Sequence, residues 1–392
     1  MDATVFSSEV QKMEKEIIEM RRYFHAHPEL SYLEKETSSY IASKLREYKI
    51  DVKTGVGGYG VVGLIKASGA KETIGLRADM DALPVKEETG LPFASKNDGV
   101  MHACGHDNHI AMLLGAASII SKHKEILKKN IKFLFQPAEE DGGRGGALPM
   151  IEAGALENPK VDHVYGLHIM TNFPSGTIAI RSGPIMAAPD MFKIDVEGKG
   201  GHGSEPQHTV DPIFIGTQVI NTLYGIRSRY VQQTKPLVIS VCMVSSGTKD
   251  NIIPDSLHME GTIRNLDEKV REDVKLKIKE IVPPLAKAYG AISNIYFKED
   301  TYPVTYNDPN ETTRVTEALK LIKGAKIIGT EPLMGAEDVS RFLEKAPGTY
   351  FFLGTRNDKK GTVYPNHSSK FTSDEEVLKI GTLAHVLISF MD

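Results

Sequence analysis

The chain has 392 residues, 41% hydrophobic and 25% charged, which is more than one hydrophobic core usually serves and points to two domains. These ordinary globular proportions exclude disordered, collagen-like and low-complexity architectures. A net charge of -4 with both signs interspersed gives no footprint for nucleic acid or an anionic membrane, so the expected partner is a small molecule.

The N-terminal MDATVFSSEVQKMEKEIIEM lacks a basic stretch followed by an apolar core, so no signal peptide is expected. No apolar run reaches membrane-spanning length. Two cysteines occur, Cys104 and Cys242, and Cys104 lies within a histidine-rich motif where a disulfide would remove a useful thiolate. The cytoplasm is the compartment this implies.

Helical spacing predicts helices over Met13 to Tyr23 and Thr37 to Tyr48. Short apolar runs follow at Val61 to Ile65, Thr73 to Leu76, Ile131 to Phe135 and Val164 to Leu167, with a helix around Ala111 to Ile120. That alternation predicts an α/β domain whose mostly parallel sheet is flanked by helices. Three of these strands run into polar residues: RADMD after Leu76, QPAEE after Phe135, and His168 after Leu167. Ligands in such sheets bind beyond the carboxyl ends of the strands.

From Met191 the order becomes strand (Met191 to Val196), helix (Pro212 to Tyr230), strands (Leu237 to Met243 and Leu257 to Arg264), helix (Lys269 to Tyr289) and strand (Ala291 to Phe297). This βαββαβ order predicts an inserted, smaller ferredoxin-like α+β domain. A helix near Thr312 to Lys323, a buried strand at Tyr350 to Leu353 and a last helix from Glu375 to Phe390 return to the first style. The expected boundaries are 1–186 and 303–392 for the larger domain and 187–302 for the insert.

MHACGHDNH, residues 101–109, packs three histidines, a cysteine and an aspartate into nine residues before an apolar helix. Imidazole and thiolate are the donors zinc prefers, and so dense a cluster favours metal over a polar helix cap. Glu139 and Glu140 follow an apolar strand and are candidates for a base and a ligand, against the ordinary fate of an exposed loop pair. His168 and His367 are weak signals singly. Glu337 and Asp338 of LMGAEDVSRF either line the site or, for Asp338, cap a helix.

The motifs LRADMDALP, MHACGHD, QPAEEDGG, GLH, GKGGHGS and YPNHSSKF occur in an order in which the chain resembles the M20 metallopeptidases over essentially its whole length. The resemblance is to the amidohydrolase branch with aminoacylases, hippurate hydrolases, auxin-conjugate hydrolases and archaeal thermostable carboxypeptidases. It implies hydrolysis of amide bonds adjacent to a free carboxylate, in N-acyl amino acids or short peptides. It implies two divalent ions per subunit, zinc with manganese or cobalt as substitutes, held by Cys104, His106, Glu140, His168 and His367. Five side chains give two metals three protein ligands apiece only if one bridges, and the family gives the bridge to Cys104. Glu139 would be the general base, Asp81 would orient a metal-site residue, and His202 would donate to the developing oxyanion. His102, Asp107 and His109 would orient ligands or replace them. Many relatives carry a metal-binding histidine where this chain has Asp79, and His106 is expected in its stead.

In the insert, Arg264 at a strand end and Asn251 of DNIIPD are the candidates for holding the substrate carboxylate, since a guanidinium fork matches it bidentately. Family members commonly form homodimers or homotetramers through this domain. Two rival functions stand beside the main one: a dedicated deacylase of one N-acetylated metabolite such as N-acetyl-diaminopimelate, and a non-catalytic ligand-binding relative.

Overall fold

A computed structural model describes residues 3–391; Met1, Asp2 and Asp392, at the outer ends of the expected first and last segments, lie outside the described residues. The chain divides into a larger unit, Met1–Ile185 with Thr305–Glu331 and Asp338–Asp392, and a smaller one, Met186–Val304 with Pro332–Glu337.

The larger unit is built on an eight-stranded sheet. Its four central strands, Asn130–Gln136, Thr73–Asp79, His163–Pro174 and Gly348–Arg356, run parallel in that spatial order. Thr73–Asp79 is buried throughout, as a sheet covered on both faces requires. Beyond its polar first turn the helix His106–Lys122 is apolar on every side, and it is buried from His106 to Ile120, which marks a helix enclosed by the core rather than laid on its surface. Helices Ala3–Ala26 and Leu378–Phe390 pack against it, and Phe6 stacks on Phe390 at 4.7 Å.

Two helices and three strands differ from the sequence expectation. The first helix begins at Ala3 rather than Met13. The helix Pro309–Leu319 stops four residues before Lys323. The sheet also contains strands at Asp51–Val56, Thr177–Ile180 and Lys326–Gly329 that periodicity did not reveal.

The smaller unit has a four-stranded antiparallel sheet in the spatial order Leu237–Ser246, Ser256–Asn265, Ala188–Glu197, Ile292–Phe297. Two helices, Pro212–Arg229 and Glu268–Ala288, complete the βαββαβ arrangement. Asp211 and Asp267 cap them by accepting backbone N–H bonds, and the stripe Val274, Ile278, Val282 and Ala286 of the second helix enters this unit's own core. None of the described helices is long and apolar enough to cross a membrane.

Candidate metal centre

The parallel strands set the residues of the site level with one another. Asp79 pairs in register with Gln136, and Arg77 with Gly166 two positions before His168. At the end of these strands the chain turns into the loops that carry Asp81, Cys104 and the two glutamates. Gly105, with φ +95°, turns the chain from Cys104 into the helix, and a Cβ there would lie 2.5 Å from Ile169 Cδ1, so only glycine fits.

Four of the five expected ligands approach through short contacts from separate parts of the chain. His168 Nε2 lies 3.3 Å from Cys104 Sγ, and His367 Nε2 lies 3.3 Å from Glu140 Oε1. Ligand atoms of Cys104, His106 and Glu140 all fall within 4.8 Å of one another, which joins the fifth to the rest. The His367 loop is tied down by its own N–H to Ala103 O at 2.8 Å and by Asn366 Nδ2 to Cys104 O at 2.8 Å. His367 itself sits at φ +72°, a sparsely populated conformation that neighbouring contacts must hold.

Hydrogen bonds fix which nitrogen each histidine presents. His106 donates from Nδ1 to Asp81 O at 2.9 Å, and its Nε2 is buried with no hydrogen-bond partner. His168 donates from Nδ1 to Ile169 O at 2.7 Å, leaving the Nε2 lone pair toward Cys104. Metal-binding histidines are oriented in this way. His109 clusters with Asp79, His106 and His168, but its Nε2 accepts Ile169 N–H at 2.9 Å and its Nδ1 donates to Asp79 Oδ1 at 2.5 Å. Both nitrogens are engaged, so it braces Asp79 in this arrangement.

The electrostatics ask for a cation. Burial pushes the Cys104 thiol up, and Glu140 and Glu139 beside it push it further, so the side chains alone do not favour the thiolate. Burial opposes ionisation of Asp79, yet His106, His109 and Arg77 hold it well below the ordinary carboxylate range. Glu140 Oε1, like His106 Nε2, is buried and lacks a hydrogen bond. Two buried atoms with unsatisfied lone pairs, beside a thiol and several carboxylates, fit a divalent ion.

The sequence missed part of the scaffold. Ser31 Oγ donates to Asp81 Oδ2 at 2.7 Å, and the same oxygen accepts Glu140 N–H at 2.9 Å. Arg77, fully buried, joins Asp79 at 2.6 Å to Asp338 at 3.0 Å. Asp338 does not cap its own helix; its Oδ2 accepts the N–H groups of Gly146 and Ala147, each at 3.0 Å. The capping alternative therefore gives way to a buried bridge to the loop after the glutamates. An arginine flanked by aspartates in RADMD was the available signal.

In the smaller unit, His202 is exposed and its Nδ1 accepts from Ser204 N at 3.2 Å, so the ring proton sits on Nε2. The backbone O of Asn251 accepts Gly203 N–H at 2.9 Å, which places Asn251 beside His202. Arg264 is half-buried and bonds only Thr262 and Ile263. No carboxylate pairs with it among the described residues, and burial lowers its pKa.

Residues 75–389 match the family described as Peptidase family M20/M25/M40. The chain belongs to that family. This M20 chain is 55% identical to thermostable carboxypeptidase 1 of Saccharolobus solfataricus over 97% of its own length and 96% of that protein's. It is 40% identical to the N-acyl-L-amino acid amidohydrolase of Geobacillus stearothermophilus, covering 85% and 89% of the two chains. Among solved structures it resembles the Bacillus subtilis YxeP protein, described as a dinuclear metal-binding peptidase from the M20 family, with TM-score 0.84 and 34% identity over 97% and 98% of the chains. The expectations of an M20 metallohydrolase and of a two-domain α/β architecture with a ferredoxin-like unit both hold.

Proposed function

We propose that this M20 enzyme hydrolyses the amide bond of N-acyl amino acids and of short peptides with a free C-terminus. The observation that carries this reading is the convergence of Cys104, His106, Glu140, His168 and His367 beside Glu139, with a buried Glu140 oxygen and a buried His106 nitrogen left without hydrogen bonds. Those five side chains would hold two divalent ions. The mixed thiolate, imidazole and carboxylate set suits zinc, with manganese or cobalt as functional substitutes. Bound there, such ions supply Lewis acidity to water and to the scissile carbonyl.

The chain's own residues perform the rest. Glu139 takes a proton from the attacking water and returns it to the departing amine. Asp81 keeps His106 in the tautomer that offers Nε2. His202, with its proton on Nε2, donates to the oxyanion of the tetrahedral intermediate. Arg264, half-buried and without a carboxylate of its own, receives the carboxylate of the substrate together with Asn251. The exposed Met243, Val244, Ile292 and Tyr296 on the two edge strands of the smaller sheet support a homodimer formed through that unit. Both cysteines are free, in keeping with a reducing cytoplasm.

The test compares blocked dipeptides and N-acyl amino acids, each as the free acid and as the amide, on the wild type and on Arg264→Ala. The free acids should lose about 10²-fold or more in kcat/KM, equivalent to roughly 3 kcal/mol of charge-assisted bonding. The amides, already poor, should change little. Equal losses on both sets would remove Arg264 as the anchor, and turnover confined to one acetylated compound would favour the dedicated deacylase.

A further inference from the structure

The loop bearing Glu139 and Glu140 is secured at three points, and one of them involves a buried acid that the chemistry above does not use. Ala138, immediately before the pair, has φ +52°, a left-handed conformation that a residue with a Cβ adopts only at a cost. Its N–H donates to Glu34 Oε1 at 2.8 Å. The same oxygen accepts Tyr32 N–H at 3.1 Å, and Tyr32 is itself at φ +65°. Glu34 is 0% exposed, and its other oxygen, Oε2, has no hydrogen-bond partner.

A buried carboxyl with one idle oxygen is an expensive way to bind two amides. Burial, followed by the nearby charge of Asp81, pushes the group up to about 7. Such a group persists where something needs it, and what it touches is the residue that aims Glu139. The other two fastenings are independent of it. Glu140 N–H is held by Asp81 Oδ2, and the far end of the loop by Asp338.

We propose that Glu34 is a positioning residue for the hydrolysis: by accepting the Ala138 N–H it holds the left-handed turn that directs the Glu139 carboxylate at the attacking water. It touches neither substrate nor metal and acts only through the backbone of residue 138. Two consequences separate this from a general contribution to stability. Metal content should not depend on Glu34, because Glu140 is fastened by Asp81. A glycine at 138, which enters the left-handed region without steric cost, should make Glu34 partly dispensable.

The inference rests on Glu139 being the base, and the experiment separates the two claims. Using the metal-loaded full chain, kcat, KM, bound metal and melting temperature are measured for Glu34→Ala, Glu34→Gln, Glu34→Ala combined with Ala138→Gly, and Glu139→Gln. Glu34→Ala should lower kcat about 10- to 100-fold, the scale on which small misplacements act, with KM within about threefold and both metals retained. Glutamine accepts the same two N–H groups and sets its amide where the idle oxygen was, so Glu34→Gln should come within about threefold of the wild-type kcat. Adding Ala138→Gly to Glu34→Ala should recover several-fold of the loss. If Glu34→Ala does not fold, Glu34→Asp, which withdraws the carboxyl by one methylene, gives the same comparison.

Wild-type kcat in Glu34→Ala, a loss that tracks metal depletion, or no recovery with glycine at 138 would each overturn the proposal. Glu139→Gln that keeps its turnover would remove the base assignment and this inference with it. An inactive Glu139→Gln beside a fully active Glu34→Ala would end this inference alone.

Discussion

At the scale of single residues, the proposed site turns on two adjacent glutamates that composition alone cannot tell apart and that stand in different surroundings. Glu140 Oε1 is buried without a hydrogen bond and lies 3.3 Å from His367 and 3.9 Å from His106, the surroundings of a ligand. Glu139 Oε2 stands 4.0 Å from His106 Nε2 at the edge of the cluster. Glu139→Gln should keep both metals and lose about 10²- to 10⁴-fold in turnover, the usual contribution of a general base. Glu140→Gln should show first as lower metal occupancy, with activity partly restored at high metal concentration. Metal analysis beside turnover checks both, and metal loss from Glu139→Gln alone would exchange the two roles. Of the proposed ligands, Cys104, His106 and Glu140 drew notice because thiolate, imidazole and carboxylate side chains crowd short motifs, whereas His168 and His367, weak signals singly, came only with the family resemblance. Ser31 and Glu34 were not legible, because they act through single hydrogen bonds to Asp81 and Ala138 from a stretch with neither periodicity nor ligand chemistry.

At the scale of elements, what was legible follows burial, except at Thr177–Ile180, which is buried throughout but, at four residues, too short to show a pattern. The central strands and the enclosed helix announce themselves by continuous apolar runs, whereas Asp51–Val56 and Lys326–Gly329 are the two edge strands of the large sheet and are largely exposed. An edge strand packed on little has no pattern to read. Equally hidden was the fastening between helix Ala3–Ala26 and helix His106–Lys122. Arg21 Nε and His25 Nδ1 each lie 2.8 Å from Asp107 Oδ2, all three fully buried, and Glu87 meets the other face of His25 at 3.1 Å. Removing one member strands a buried charge, so Arg21→Met should cost roughly 3 to 5 kcal/mol of stability, measured by denaturant unfolding. His25 adds a pH signature. Burial and Arg21 oppose its protonation, but Asp107 and Glu87 prevail and raise its pKa above the ordinary value. Its contribution is therefore complete below about pH 6.5, the unfolded value, and is lost as pH rises through the folded value. The stability gap between wild type and His25→Asn should narrow on going from pH 6 to pH 9; a gap that stays constant or widens would show that His25 does not fold in its protonated form.

At the scale of the whole molecule, the division into two units, each with its own core, gives metal binding a local thermodynamic footprint. All five proposed ligands lie in the larger unit: His168 within strand His163–Pro174, His106 at the start of its helix, Glu140 in the short turn Glu139–Asp141, and Cys104 and His367 in loops, with Asp79, Asp81 and Glu139 beside them. Arg77 pairs with Asp79 and His106 lies beside Asp81, and a divalent ion would add positive charge next to the two glutamates. An ion that binds only the folded site stabilises it by roughly 2.7 kcal/mol when free metal is at 100 times its dissociation constant, and by about 4.1 at 1,000 times. Chelation should remove that increment where the ligands are. Hydrogen exchange on the metal-loaded and chelated protein should show faster exchange at residues 103–108 and around His367, which His367 N–H to Ala103 O joins, and at residues 138–141, held by Glu34 and Asp81. The amides of strand Ser256–Asn265 and helix Glu268–Ala288, inside the second core, should exchange as before. Restoring zinc, cobalt or manganese should restore both the protection and the turnover, whereas Glu140→Gln should respond only at higher metal concentration. Equal loosening of the two units would mean that the ions act on the fold at large, and an unchanged exchange pattern with full turnover after verified metal removal would end the metal-centred reading of these five side chains.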